Sequence, residues 1–214
     1  MVMKSIVSGL RITAVVFVVL FVFAYGYPVV SSYIDMHIDS RQANGDLIIE
    51  DHVVYGSEYL AEAFSYPEFF HPRPSCVGYN LSKSGVPGYS IDNPEVTNLT
   101  KEYIHNFEKC NPDVNVSMIP YCMVSYSGSG LDPDIPLQGA LIQIPRISQN
   151  LSSLIENKTG DTPGVHAILS FINGIINKSK TQDFPIFGTY YVNTIKLNFS
   201  ILLYLNSRYG INLF

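Results

Sequence analysis

Basic charge is scarce in this chain and nowhere concentrated: 13 lysines and arginines stand against 18 acids, in 214 residues. Without a basic stripe there is no electrostatic footprint for a phosphate backbone, so nucleic acid is excluded as a partner. Cysteine is scarce too. Cys76, Cys110 and Cys122 lack the C-x2-C spacing of a zinc site. His37, His52, His71, His105 and His166 form no H-E-x-x-H or other close pair, so no metal set is visible. No glycine-rich loop leads into Lys-Ser or Lys-Thr, which removes a Walker-type nucleotide site. Ser127-Gly128-Ser129-Gly130 invites a serine nucleophile, yet Ser127 occupies the first glycine position of G-x-S-x-G.

The most informative absence is of charge itself. Between Arg11 and Asp35 no charged residue interrupts a run of mostly aliphatic and aromatic residues. A helix rises about 1.5 Å per residue, so roughly 20 apolar residues cross a hydrocarbon core about 30 Å thick. The run is longer than the 7–15 residues, roughly, of a signal-peptide core, and Ala24-Tyr25-Gly26 is a poor cleavage site. It reads as a retained anchor. Lys4 and Arg11 precede it and Asp35 and Asp39 follow, so the positive-inside rule puts the N-terminus in the cytoplasm. The expected organisation is a cytoplasmic segment 1–11, a transmembrane helix 12–32 and one extracytoplasmic domain 33–214. The lipid bilayer is therefore a partner, and the protein a single-pass component of the cell membrane.

Seven N-x-Ser/Thr sequons, at Asn80, Asn98, Asn115, Asn150, Asn157, Asn177 and Asn198, exceed the about two that chance supplies, which fits an exported surface. Asn198 sits in an apolar helical pattern and reads as an accidental match. In an oxidising exterior Cys110 and Cys122 could close a short loop. All three thiols could equally stay reduced as small packed hydrophobes, and the sequence leaves both open.

Residues 47–49 and 53–55 read as short paired strands after the Asn44-Gly45 turn. Residues 57–64 read as a short helix and 65–90 as a long loop. Asp92-Asn93-Pro94-Glu95 starts a helix with Val96, Leu99, Tyr103 and Phe107 on one face, stopped by Asn111-Pro112. Residues 118–126 read as a buried strand. Asp132 or Asp134 caps a further helix with Leu137, Ala140, Leu141 and Ile144 inward, interrupted at Pro145. Short helical turns at 151–155, a core helix at 165–176, a strand at 190–192 and a closing helix at 194–209, with Lys196 and Arg208 outward, complete the chain. Without a βαβ rhythm the class is α+β. Arg146 is the one basic residue between 131 and 150; it reads as a clamp on Asp132 or Asp134, or as a contact to a partner subunit.

The order of these segments resembles the C subunit of the Kdp-type potassium-transporting ATPase (the KdpC family). The resemblance rests on Gly9-Leu10-Arg11, Tyr27-Pro28, Ala43-Asn44-Gly45-Asp46-Leu47-Ile48 and Gly56-Ser57. It continues through Phe69-Phe70-His71-Pro72-Arg73-Pro74-Ser75, Asn93-Pro94-Glu95 and Asn111-Pro112-Asp113. Ser127-Gly128-Ser129-Gly130-Leu131-Asp132 leads on to Gln143-Ile144-Pro145-Arg146, and Val192-Asn193 with Leu197-Asn198 ends it. Departures are Pro72 in place of the family's glycine, a divergent loop at 84–90, Ser148-Gln149 in place of a basic pair, and extra residues between 159 and 184.

The resemblance implies a non-catalytic accessory subunit of an ATP-driven, high-affinity potassium uptake complex. Its partners would be a channel-like K+-translocating subunit and a P-type ATPase subunit, whose assembly it stabilises. It also implies a catalytic chaperone that raises the ATP affinity of the hydrolysing subunit. The orientation above places the domain opposite the cell's ATP, so ATP would act through the complex and the effect would be a shift in pump populations. Gln143 is the candidate for any direct nucleotide contact; no cofactor is expected to bind stably. His71, Arg73, Ser129, Gly130, Asp132 and Arg146 are candidates for subunit contact or structure. Ala14, Ala24 and Gly26 are candidates for close helix packing in lipid. The alternatives are a membrane-anchored extracellular hydrolase using Ser129 or Ser127, and a cell-surface binding protein, suggested by the sequons and aromatic loops.

Overall fold

The computed structural model describes residues 2–50, 52–90, 92–182, 184 and 187–213, with side chains from residue 9 onward. Asp51, in the turn expected between the first two strands, and the side chain of Lys4, expected on the cytoplasmic flank, lie outside the described residues. The chain divides into two units, residues 1–47 and 48–214.

The first unit is dominated by α1 (Val2–Ile38), which its 37 residues make about 55 Å long. Gly9–Ile38 is long and apolar enough to cross a membrane, with a mean hydropathy of 2.2 over its most apolar 18 residues. The helix continues through Pro28 and past residue 32, to Ile38. Successive residues are turned by about 100°, which puts Ala24 and Gly26 about 160° apart around the axis. Ala24 and Gly26 therefore lie on nearly opposite sides of the helix. Asp39 caps α2 (Ser40–Ala43) by accepting from the Gln42 N–H at 3.2 Å. The Asn44-Gly45 turn follows, with Gly45 at φ 82°. Asp46, at φ 46°, is held by Arg41 Nε at 2.8 Å.

At the start of the second unit, β1 (Leu47–Glu50), whose first residue closes the first unit, and β2 (Val53–Ser57) form a two-stranded ribbon. The next helix, α3 (Pro94–Cys110), begins where expected: the Asn93 side chain accepts from the Glu95 N–H and Pro94 sits in the first turn. A second ribbon pairs β3 (Asp134–Pro136) antiparallel with β4 (Tyr191–Asn193), Ile135 opposite Val192. Between them run α4 (Leu137–Leu141), α5 (Ile144–Thr159) and α6 (Val165–Ser179); α7 (Thr194–Tyr209) closes the chain.

The core follows from one spacing used three times. Ile147, Leu151 and Ile155 on α5, Ile168, Ile172 and Ile176 on α6, and Leu197, Ile201 and Leu205 on α7 recur every fourth residue and are at most 1% exposed. Residues four apart make a ridge along a helix, and these ridges bury against one another. Lys196 and Arg208 point outward, as expected.

Four local expectations are corrected. Residues 57–64 form no helix, because the Ala61 N–H is drawn to the Leu131 carbonyl at 2.8 Å. Residues 118–126 are not a strand; single 3-10 turns at Val116–Met118 and Tyr121–Val124 flank Pro120. Neither Asp132 nor Asp134 caps a helix: Pro136 precedes α4, and Leu141 is 37% exposed. Pro145 does not interrupt a helix but sits in the first turn of α5, where its missing N–H costs nothing. The turns read at 151–155 therefore belong to a 16-residue helix that ends at Gly160, φ 76°. Cys76, Cys110 and Cys122 are all free, so no bridge joins Cys110 to Cys122.

Candidate functional site

Residues 69–75 cross the domain without regular structure, and Phe69 and Phe70 are 1% and 0% exposed. Buried backbone groups outside a helix or sheet must find other partners. Two carboxamides supply them. Asn198, on α7, accepts from the Phe70 N–H at 2.7 Å and donates to the Phe70 carbonyl at 2.9 Å. Gln143, ahead of α5, does the same for the next residue: Oε1 accepts from the His71 N–H at 2.8 Å and Nε2 donates to the His71 carbonyl at 3.2 Å. Two consecutive residues are thus each bracketed by one side chain, and both side chains are 0% exposed.

Gln143 uses its remaining capacity as well. Nε2 also donates to the Gly139 carbonyl at 3.0 Å, and Oε1 also accepts from Arg146 Nη2 at 2.8 Å. A carboxamide has two donors and two acceptor positions, and all four are filled. As folded, every hydrogen-bonding position of Gln143 is used within the chain.

Arg146 does not reach Asp132 or Asp134. Its Nε donates to Asn111 Oδ1 at 2.9 Å and its Nη1 to the Pro67 carbonyl at 2.6 Å. It is buried, and burial lowers its pKa to about 10, which leaves it a cation at neutral pH. The fork ties α5 to the Asn111 cap of α3 and to the loop entering Phe69. His71 lies against it, with Nε2 3.2 Å from the Tyr66 carbonyl and 3.5 Å from Arg146 Nη1. Burial, then the charge of Arg146, lower the His71 pKa to about 4. The neutral ring serves either neighbour, depending on which nitrogen carries the proton; a second proton would face a guanidinium.

A second cation organises the other end of the segment. Arg73 pairs through Nη1 with Asp132 Oδ2 at 2.9 Å, and its other nitrogens donate to the Cys122 carbonyl at 3.2 Å and the Tyr126 carbonyl at 3.4 Å. Ser75 Oγ donates to the Gly130 carbonyl at 2.5 Å, and Tyr79 OH donates to the Arg73 carbonyl at 2.8 Å. Gly130 is at φ 73°, and a Cβ there would stand 2.8 Å from Val77 Cγ2, so both conformation and close approach require glycine. Ser129 Oγ accepts from the Leu131 N–H at 3.0 Å, and Ser127 Oγ lies 3.5 Å from the Asp132 N–H. Among the described residues neither hydroxyl is bonded to a histidine, so neither has the base that a serine nucleophile needs. Among those residues, too, no group of three His, Cys, Asp or Glu side chains gathers to hold a metal ion.

The structure therefore brings His71, Gln143 and Arg146 into one cluster and Arg73, Asp132, Ser129 and Gly130 into another. Ser129 and Asp132 also wall an open cleft of about 690 Å³ with Tyr59, Leu81 and Lys83. His71 walls a separate one of about 490 Å³ with Tyr79 and Tyr103. Burial pushes both tyrosine hydroxyls up to about 12, which keeps them neutral donors. Sequence reasoning missed Asn198 and the second role of Asn111 as an acceptor for Arg146. An amide at a core position of an apolar helix is the signal that finds such residues, since a buried polar side chain requires partners.

The segments that make these clusters are those that carried the family resemblance. The model of the KdpC family, described as the K+-transporting ATPase c chain, matches residues 6–202. The chain belongs to the KdpC family. A potassium-transporting ATPase KdpC subunit of Thermoplasma acidophilum is 50% identical over 194 residues, 90% of this chain and 92% of the relative. Its counterpart in Thermoplasma volcanium is 52% identical over 198 residues, 92% of each. A KdpC subunit of Bacillus cytotoxicus is 31% identical over 175 residues, 82% of this chain and 84% of the relative. The KdpC match thus covers the apolar helix, both clusters and most of α7.

Proposed function

We propose that this chain is the accessory, non-catalytic subunit of an ATP-driven potassium uptake complex, where it stabilises the assembly of a channel-like subunit and a P-type ATPase subunit. The observation that carries the reading is a KdpC match running through residues 6–202. Supporting it is the spending of the domain's buried polar groups on its own loops. Gln143, Asn198 and Arg146 bond the backbone of Pro67, Phe70 and His71 and so pre-order this segment. Such a segment binds without a large ordering cost, which favours lasting contacts over chemistry.

The N-terminus lies in the cytoplasm and the domain outside, with Arg11 on one flank of the apolar helix and Asp35 and Asp39 on the other. ATP then reaches only the hydrolysing subunit. The chain raises that subunit's ATP affinity indirectly, by binding one conformation of the pump better than another. It holds no nucleotide stably itself.

Three measurements test this together. The tagged full-length chain should co-purify with both other subunits. Single-cysteine labelling of intact cells should reach residue 206 from outside and residue 5 only after lysis. The complex should need more ATP for half-maximal turnover when this chain is omitted. Recovery of the chain alone, or labelling of its C-terminal end only from the cytoplasmic side, would overturn the proposal.

A further inference from the structure

A small groove runs between β2 and α7. It holds about 200 Å³ and is lined by Val53, Val54, Tyr55, Phe64, Ile195, Phe199 and Leu202, with a single charged residue, Glu62. Small-molecule sites occupy about 300–1,000 Å³, so the groove is on the scale of a side chain and not of a cofactor. Val53 and Val54 at its rim are 50% and 56% exposed, and Ile49 on β1 is 55% exposed. Tyr55 packs on Phe199 with ring centroids 5.2 Å apart, which fixes the wall.

Glu62 is the anomaly. Among the described residues no hydrogen bond or ion pair reaches its carboxylate, and the apolar surroundings raise its pKa by desolvation. Lys196, adjacent in sequence to Ile195, is paired with Glu58 at 2.5 Å. The backbone nevertheless makes room for the acid. Gly56 is at φ 148°, and a Cβ there would stand 2.5 Å from Glu62 Oε1, so any side chain at residue 56 would displace it. An ionised group held against apolar walls without a partner costs free energy, which an incoming cation would recover.

We propose that this groove is a docking site for an apolar segment of a neighbouring subunit that presents one lysine or arginine to Glu62. The exposed valines would cover the aliphatic stem and its neighbours, and the carboxylate would take the charge. This rests on the accessory-subunit reading and names the surface that reading needs.

The test uses full-length chains carrying Glu62→Gln or Glu62→Lys, each co-expressed with the other two subunits, with the tag on one of those. Expected is at least a ten-fold loss of co-purified chain for Glu62→Lys and a smaller loss for Glu62→Gln. Thermal unfolding of purified Glu62→Gln should be unchanged or higher, because an unpartnered acid has been removed, and that of Glu62→Lys should match the wild type, because one unpartnered charge replaces another. Wild-type recovery of Glu62→Lys overturns the proposal, as does a loss matched by a lower unfolding temperature. So does a dimer of the wild-type chain abolished by Glu62→Lys, which would make the occupant a second copy. A K+-dependent rise in the wild-type unfolding temperature that Glu62→Gln abolishes would make the occupant a metal ion, and overturns the proposal equally. If the wild-type chain itself fails to co-purify, the accessory-subunit reading fails, whatever the groove does.

Discussion

Replacing Gln143 by methionine keeps the volume of the side chain and deletes its hydrogen bonds, which isolates the carboxamide's contribution. Four bonds disappear. The His71 N–H loses its acceptor, the His71 and Gly139 carbonyls lose donors, and Arg146 loses one of its partners. A buried group left unsatisfied costs about 1–3 kcal/mol, more for a donor on a charged group and less for a carbonyl with a second lone pair in use. The sum is about 4–6 kcal/mol, a large part of the about 5–15 kcal/mol that holds a typical domain together. For a domain of this size that lowers the melting temperature by about 10–20 °C. The assay is thermal or urea unfolding of the full-length chain in detergent, followed by circular dichroism. A wild-type transition in Gln143→Met, combined with weaker ATP binding by the complex, would refute the staple and return Gln143 to a nucleotide role.

Asn198→Ala strips Phe70 of both its partners and should cost about 2–4 kcal/mol in the same unfolding assay. Peptide mapping of the native wild-type chain should find Asn198 without a glycan, because it is 0% exposed. His71 gives a pH signature. Its folded pKa of about 4 lies below the ordinary 6.5, so between those values the unfolded chain binds more protons and stability rises with pH. The gain is complete above 6.5 and its loss on acidification amounts to about 3 kcal/mol, a slope that His71→Phe should flatten in urea titrations. Arg146→Ala should lower recovery of the complex more than ATP turnover per intact complex. It does so by loosening the chain, since Asn111, the Pro67 carbonyl and Gln143 lose a common partner. Unfolding midpoints of the purified chain that do not move would refute that route.

Elements defined by short-range chemistry were legible. The uncharged run that became α1, the Asn93-Pro94-Glu95 start of α3, the Asn44-Gly45 turn and the limits of α7 all follow from residues within a few positions of one another. Pro145 misled because proline signals both the interior break and the first turn of a helix, and only the chain around it decides between them. Residues 57–64 misled because their helical pattern competes with a carbonyl from Leu131, about seventy positions away.

The clusters were legible in part of their membership and not in their wiring. His71, Arg73, Asp132, Gln143 and Arg146 were all singled out, yet the charge pairing fell to Arg73 with Asp132 while Arg146 went to Asn111 and a carbonyl. Sequence composition and periodicity by themselves determined the long apolar helix, the α+β class and most other helices, since burial of apolar faces and capping act locally. Only the tertiary structure decided which buried amide serves which backbone group, because such partners lie as far apart as Phe70 and Asn198 and meet once the α5, α6 and α7 ridges have packed.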